Sequence, residues 1–300
     1  MYNQFYGFQE PPFNMTPNSR FFFQSHKHQE ALSTLLYAIE HRKGFVVITG
    51  DIGSGKTTVC RALLNQLNSH TETALITNTL MTGKDLLYTI LEELNIEFTP
   101  GSKARLLSQL NQYLIEQLEK DKNVALIIDE AQNLSLSVLE EVRLLSNLET
   151  ENEKLIQIIF LGQPELKKKL SVKGLEQLRQ RIAVFYHLSP LTLEEARDYI
   201  IHRLSVASTS DKKFFTEEAI REVYQFSQGV PRLINQICDS ALLSGYIYET
   251  KLIDEKIMRE VIAESPSEQI APKSLLKTSN PMDLKSEMEI LKWDGNQIAS

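Results

Sequence analysis

Gly50-Asp-Ile-Gly-Ser-Gly55-Lys56-Thr57 is the stretch on which the reading of this 300-residue chain turns. It fits G-x-x-x-x-G-K-[ST], with an apolar, β-like run (Phe45–Thr49) before it and an amphipathic helical pattern (Thr57–Leu67) after it. The composition suits one kind of chemistry. Glycines permit a tight turn and let backbone amides approach phosphate oxygens. A helix opening near Lys56 adds the positive end of its dipole. Gly50, Asp51, Ile52, Gly53, Ser54, Gly55, Lys56, Thr57 and Thr58 are therefore expected to wrap a nucleotide's phosphates. Lys56 should reach the β- and γ-phosphates, and the Thr57 hydroxyl should ligate Mg²⁺.

A second signal lies downstream in Val124-Ala-Leu-Ile-Ile-Asp129-Glu130, a buried-strand pattern ending in two carboxylates. Asp129 is placed to hold the Mg²⁺ shell, and Glu130 to polarise a water for attack on the γ-phosphorus. A water-activating base points to hydrolysis rather than phosphorylation of a small substrate. Another apolar run, Ile156–Leu161, leads into Leu161-Gly-Gln163-Pro164-Glu165. Gln163 either contacts the γ-phosphate or attacking water, or caps the next helix. In Gln177-Leu-Arg-Gln-Arg-Ile182, Arg179 and Arg181 either pair with local acids or reach across a subunit boundary to a neighbour's nucleotide. Arg232, in Gly229-Val-Pro-Arg232, starts a helix and so opposes the local dipole. It either serves an anionic partner or makes a surface ion pair.

Thr73–Thr77 and Ala183–Leu188 are weaker strand candidates, and helical spacing covers His26–Ile39, Asp85–Leu94, Lys103–Lys120 and Ser135–Asn147. Strands alternating with helices predict an α/β fold with a parallel sheet covered on both faces. After Pro190 the strand signal stops. Thr192-Leu-Glu-Glu195 has capping-box spacing for a helix to about Val206, Thr216 marks a second helix, Arg232–Tyr246 a third, and Asp254 starts a fourth. The expected organisation is an arm and first helix in 1–43, a core in 44–188, a helical domain in 189–264 and a flexible tail in 265–300. A short amphipathic helix is predicted within the tail at Pro281–Trp293. The arm carries Tyr2, Phe5, Tyr6, Phe8, Phe13, Phe21, Phe22 and Phe23, and Pro11, Pro12 and Pro17 predict that it is extended. Its rings should anchor it on the main domain; the sharper reading is that part of it borders a bound base.

Composition narrows the class further. A 42% hydrophobic and 24% charged chain is globular rather than disordered, and a net charge of −7 argues against a polycation that coats nucleic acid. DNA therefore stays a disfavoured partner. Cys60 and Cys238 form no metal or CxxC pattern and suit a reducing compartment. Neither a signal peptide nor an apolar stretch near ~18 residues is visible, so a cytoplasmic location without direct membrane insertion is expected.

Together the motifs resemble the AAA+ ATPases, and more narrowly the general secretion pathway protein A (ExeA-type) ATPases, themselves similar to transposition-helper AAA+ ATPases. The likeness rests on Phe5-Tyr-Gly-Phe8, Pro12-Phe-Asn-Met-Thr-Pro17, His28-Gln-Glu-Ala-Leu32, Gly44-Phe-Val-Val-Ile-Thr-Gly50, Asp129-Glu-Ala-Gln132 and Leu161-Gly-Gln-Pro-Glu-Leu166. It implies a P-loop NTPase fold, a three-layer parallel-sheet core with a C-terminal all-helical lid. It also implies Walker A at Gly50–Thr57, Walker B at Asp129 and Glu130, sensor 1 at Gln163 and sensor 2 at Arg232. Arg181 or Arg179 becomes the arginine finger, and Asn78 the residue restraining the catalytic glutamate. The family pattern continues from the ATPase into a transmembrane segment and a peptidoglycan-binding domain, and neither is expected within residues 1–300, a departure that weakens direct action on the cell wall. The implied function is hydrolysis of Mg-ATP by a homo-oligomer that drives or times assembly in a secretion or envelope system. A protein partner is expected, and it would bring the chain to the inner membrane. The rivals are an ATP-gated, DNA-associated assembly factor and a small-molecule kinase, which fits worst.

Overall fold

A computed structural model describes residues 2–16, 18–67, 69–208 and 212–265. Its centre is a parallel sheet of β1 (Phe45–Gly50), β2 (Thr71–Ile76), β3 (Asn123–Ile128), β4 (Gln157–Gly162) and β5 (Ile182–Leu188), ordered β2-β3-β4-β1-β5. β1, β3 and β4 fall on the three apolar runs read from the sequence, and β2 and β5 overlap the two weaker candidates, Thr73–Thr77 and Ala183–Leu188. The helices begin with α1 (Tyr2–Tyr6), α2 (His26–Glu40), α3 (Lys56–Gln66), α4 (Gly83–Glu93), α5 (Lys103–Glu119) and α6 (Leu136–Leu145). They continue as α7 (Pro164–Leu170), α8 (Glu176–Gln180), α9 (Leu193–Ala207), α10 (Glu217–Ser227), α11 (Pro231–Ile247) and α12 (Glu255–Glu264).

The central strands β1, β3 and β4 are largely apolar because both their faces are covered, whereas the edge strands β2 and β5 are partly exposed. Phe45, Val47, Leu126, Ile128, Ile158 and Phe160 pack against α4 to α8, whereas Val46, Ile48, Ala125, Ile127, Ile159 and Leu161 pack against α2 and α3. Neighbouring residues thus feed opposite layers, as a period of two demands. β3, β4 and β1 lie side by side, so the loops after Ile128, Gly162 and Gly50 leave the same edge of the sheet together. Ligands of such sheets bind beyond that carboxyl edge.

The lid helices α9 to α12 have their own core, built on Ile200, Val223, Ile234, Leu242 and Met258. The capping box is realised: Thr192 Oγ1 accepts from Glu195 N at 3.2 Å, and Glu195 Oε2 accepts from Thr192 N at 3.0 Å. Thr216 Oγ1 caps α10 by accepting from Ala219 N at 3.1 Å.

The extended arm needs correcting. Tyr2–Tyr6 is helical and Ser19–Phe21 forms a 3₁₀ turn. Pro11 and Pro12 lie beyond the first helix, which ends at Gly7 (φ +80°), so they do not oppose it. The arm is anchored on the lid rather than on the sheet. Tyr6, Phe8, Phe13 and Phe21 belong to the lid core; Tyr6 Oη donates to Leu242 O at 3.0 Å, Tyr2 Oη donates to Asp239, and Gln9 N donates to Ala207 O at 2.8 Å. Residues through Ile262 therefore group as one compact unit. The tail helix expected at 281–293 lies outside the described residues. Both cysteines are buried and free, and among the described residues no helix is long and apolar enough to cross a membrane.

Candidate nucleotide-binding site

Between the last residue of β1 and the first of α3 the chain turns through Gly53 (φ +81°) and Gly55 (φ +101°), a region that side chains disfavour. Ser54 N donates to Asp51 O at 3.1 Å. The N–H groups of Gly53, Gly55, Lys56 and Thr57 have no backbone acceptor among the described residues. Free amides gathered at the N-terminus of an eleven-residue helix make an anion site. Lys56 folds back over the loop, its Nζ donating to Gly50 O at 2.8 Å and Asp51 O at 2.9 Å. Burial pushes the pKa of this ammonium down, while Glu130, Asp129, Asp51 and Glu165 pull it back up.

The carboxylates lie across from the loop. Thr57 Oγ1 donates to Asp129 Oδ2 at 3.1 Å, and Asp129 Oδ1 accepts from Glu130 N at 2.9 Å. Glu130 occupies the left-handed region at φ +52°, a strained conformation for a residue with a side chain. Its Oε2 accepts from Gln163 Nε2 at 3.1 Å and also from Gln132 Nε2, while Gln132 Oε1 accepts from Gln163 N at 3.0 Å. Two amides therefore hold the carboxylate. Gln163 is the N-cap residue of α7 but makes no side-chain capping bond.

Thr57 and Asp129 offer hydroxyl and carboxylate oxygens, the donor type a hard divalent ion prefers. Among the described residues no group of three or more His, Cys, Asp or Glu is placed to hold a metal. The oxygen donors of Thr57 and Asp129 fit Mg²⁺, which habitually keeps waters and takes substrate phosphates for the rest of its shell.

A cavity of about 400 Å³ opens over the loop. Ile52, Gly53, Lys56, Thr57 and Thr58 form its floor, with Glu130 and Gln163 beside them. Tyr199, Arg203, Arg232 and Asn235 of the lid close one side, and Asn14, Thr16 and Phe21–Phe23 of the arm another. The arm thus both anchors on the lid and borders the cavity. Arg203 fastens it there: buried, with Nε on Pro12 O at 2.6 Å, Nη2 on Asn14 O at 3.2 Å and Nη1 on Tyr199 Oη at 2.8 Å.

The other sequence candidates divide. Arg232 lines the cavity and is exposed. Arg181 is spent within its own chain, donating Nη1 to Ser146 O at 2.9 Å, whereas Arg179 is exposed and in no ion pair among the described residues. Asn78 is exposed and accepts from Leu80 N at 3.2 Å; Gln132 and Gln163 hold Glu130 instead. The sequence reading gave Gln132, Arg203 and His28 no role. Arg203 did carry a signal: it is the charged residue on the face of α9 formed by Ala196, Tyr199, Ile200 and Leu204.

A family model for the AAA domain matches residues 39–170. Over 247 residues, 82% of this chain, the sequence is 43% identical to general secretion pathway protein A of Aeromonas hydrophila. The chain has the AAA+ P-loop NTPase fold. The resemblance carried by its motifs therefore holds, although the chain spans only 45% of the length of that relative. Two archaeal structures share the AAA+ fold. The Aeropyrum pernix ORC2 protein, solved with ADPNP and ADP, superposes with a TM-score of 0.64 at 14% identity, covering 88% of this chain and 74% of its own. Cdc6p of Pyrobaculum aerophilum gives 0.64 at 18% identity, with 86% and 73% covered.

Proposed function

We propose that this AAA+ chain binds Mg-ATP in the cavity between loop, lid and arm and hydrolyses it as a homo-oligomer. The observation that carries the reading is Glu130, held by Gln132 and Gln163 next to Asp129, which is itself bonded to Thr57 of the loop. The loop amides and Lys56 bind the phosphates. Thr57 and Asp129 would hold Mg²⁺, which when bound offsets charge on the phosphate oxygens. Glu130 orients a water and takes its proton. Arg232 adds positive charge from the lid. Arg179 is the better finger, since Arg181 is committed to Ser146 O. The working division is a core of 44–188 closed by a lid of 189–264, with 1–43 as the strap between them.

The kinship with general secretion pathway protein A favours work in a secretion or cell-envelope machine, from the cytoplasmic side and through a protein partner. The test is Glu130→Gln, followed by Mg-ATP calorimetry, phosphate release and light scattering. Tight binding, lost turnover and a nucleotide-dependent rise in mass are expected. Near-normal turnover would remove Glu130 as the base.

One observation favours a second reading. Lys167 and Lys168 on α7, Arg179 on α8 and Lys173 in the turn between them are exposed and in no ion pair among the described residues. They suit an ATP-gated, DNA-associated assembly factor, for which an ATP-dependent, salt-sensitive DNA mobility shift is the test.

A further inference from the structure

His28 lies in the first turn of α2, 5% exposed, directly against the phosphate loop. Its Nε2 is 3.1 Å from Ser54 O and its Nδ1 is 2.6 Å from Ser25 Oγ. A carbonyl oxygen can only accept, so Nε2 carries the proton and Nδ1 accepts from the Ser25 hydroxyl. Ser25 is the N-cap of α2, and its Oγ also accepts from His28 N at 3.3 Å. The ring is therefore oriented by the helix cap, and the edge-on ring of Phe22, with centroids 6.3 Å apart, packs beside it.

What this ring holds is a peptide plane. The Ser54–Gly55 peptide is planar and trans, so its N–H points opposite to its C=O. With Ser54 O fixed on His28, the Gly55 N–H is turned away from His28, and it has no backbone acceptor among the described residues. Glycine at 55 leaves the reverse orientation of that peptide sterically open, so a bond from outside the loop has to choose between the two. The approach is close: a Cβ on Gly55 would lie 2.5 Å from His28 Nε2.

We infer that His28 is a positioning residue for nucleotide binding, whose Nε2–H on Ser54 O sets the loop peptide that presents the Gly55 amide to the phosphates. The inference rests on the nucleotide reading of the cavity. It also gives the arm a part in affinity, because Phe21–Phe23 line the cavity and lead directly into Ser25 and His28.

The test uses the full chain with Mg-ADP as the probe, titrated by calorimetry against wild type, His28→Ala, His28→Gln and His28→Asn, with thermal unfolding as the check on folding. A glutamine amide reaches the position of Nε2 and can donate to Ser54 O, while asparagine reaches only as far as Nδ1. His28→Ala and His28→Asn should each weaken Mg-ADP binding about tenfold, the loss of one buried hydrogen bond. His28→Gln should stay within about threefold of wild type. A side chain that merely filled space would not separate Gln from Asn in this way. Binding by His28→Ala within about twofold of wild type, or by Asn as tight as by Gln, would overturn the role. Should His28→Ala not fold, the Gln and Asn pair decides alone. Absence of Mg-ADP uptake by folded wild type would instead overturn the nucleotide reading beneath it.

Discussion

Arg232 N donates to Gly53 O at 3.3 Å, and a methyl group added to Gly53 would stand 2.4 Å from Arg232 Cβ. The phosphate loop and the lid thus meet backbone to backbone. Gly53 also needs φ +81°, so Gly53→Ala carries both conformational strain and a clash. The expected result is at least about tenfold weaker Mg-ADP binding with the lid pushed off the loop. Calorimetry beside small-angle scattering checks it; unchanged affinity would mean that the contact does not shape the loop.

Glu130→Gln should keep Mg-ATP affinity within about threefold of wild type while slowing turnover by about 10² to 10⁴. Gln163→Ala leaves Glu130 with Gln132 as its remaining side-chain partner, so a smaller drop in turnover is expected, with little change in affinity. Single-turnover phosphate release separates the two effects.

Arg179→Ala should cost about 10³ or more in turnover, and activity should partly return when it is mixed with Glu130→Gln, since each supplies what the other lacks across a subunit boundary. Arg181→Ala should keep most of its activity and lose stability, because it strips a donor from Ser146 O. The opposite ranking in a phosphate-release assay would exchange the two assignments.

Arg203→Met leaves the carbonyls of Pro12 and Asn14 and the Tyr199 hydroxyl without their shared donor. A loss of about 2–4 kcal/mol is expected from denaturant unfolding, with faster proteolysis of the arm. Unchanged protease sensitivity would detach Arg203 from the strap.

Burial is the leading cause that lowers the pKa values of His28, His187 and His202, opposed at His28 by Ser54 O and Glu195 and at His187 by Asp51. As pH falls below about 6.5, the ordinary histidine value, the unfolded chain takes up protons before the folded one does. Stability from these groups should therefore be whole above about pH 7 and fall as pH drops below about 6.5. Thermal unfolding at fixed ionic strength measures it, and His28→Gln should flatten the slope. A midpoint that rises on acidification would contradict the sign.

The strands were legible because a parallel sheet buried on both faces writes itself as unbroken apolar runs such as Val124–Ile128. The loop and the acid pair were legible because each is contiguous in sequence and sits at a strand end. Gln132 and Gln163 lay inside quoted motifs, yet their joint hold on Glu130 depends on β3 and β4 being neighbours, which spacing does not encode. The helix at Tyr2–Tyr6 was missed because five residues carry too little periodicity; packing on α11, through Phe5 on Tyr246 at 5.5 Å, stabilises it. α7 and α8 were too short to register for the same reason. His28 and Arg203 read as ordinary helix residues until Ser54 and the arm carbonyls came beside them.

Tyr6 is separated from its acceptor on Leu242 by 236 residues. During synthesis at about 5–20 residues per second, that gap is roughly 10–50 s in which the rings around Tyr6 have been made and the surface meant to cover them has not. The nascent chain must therefore shield an aromatic cluster by other means until almost the last lid helix emerges. A fold stitched together by contacts this distant in sequence closes late and slowly.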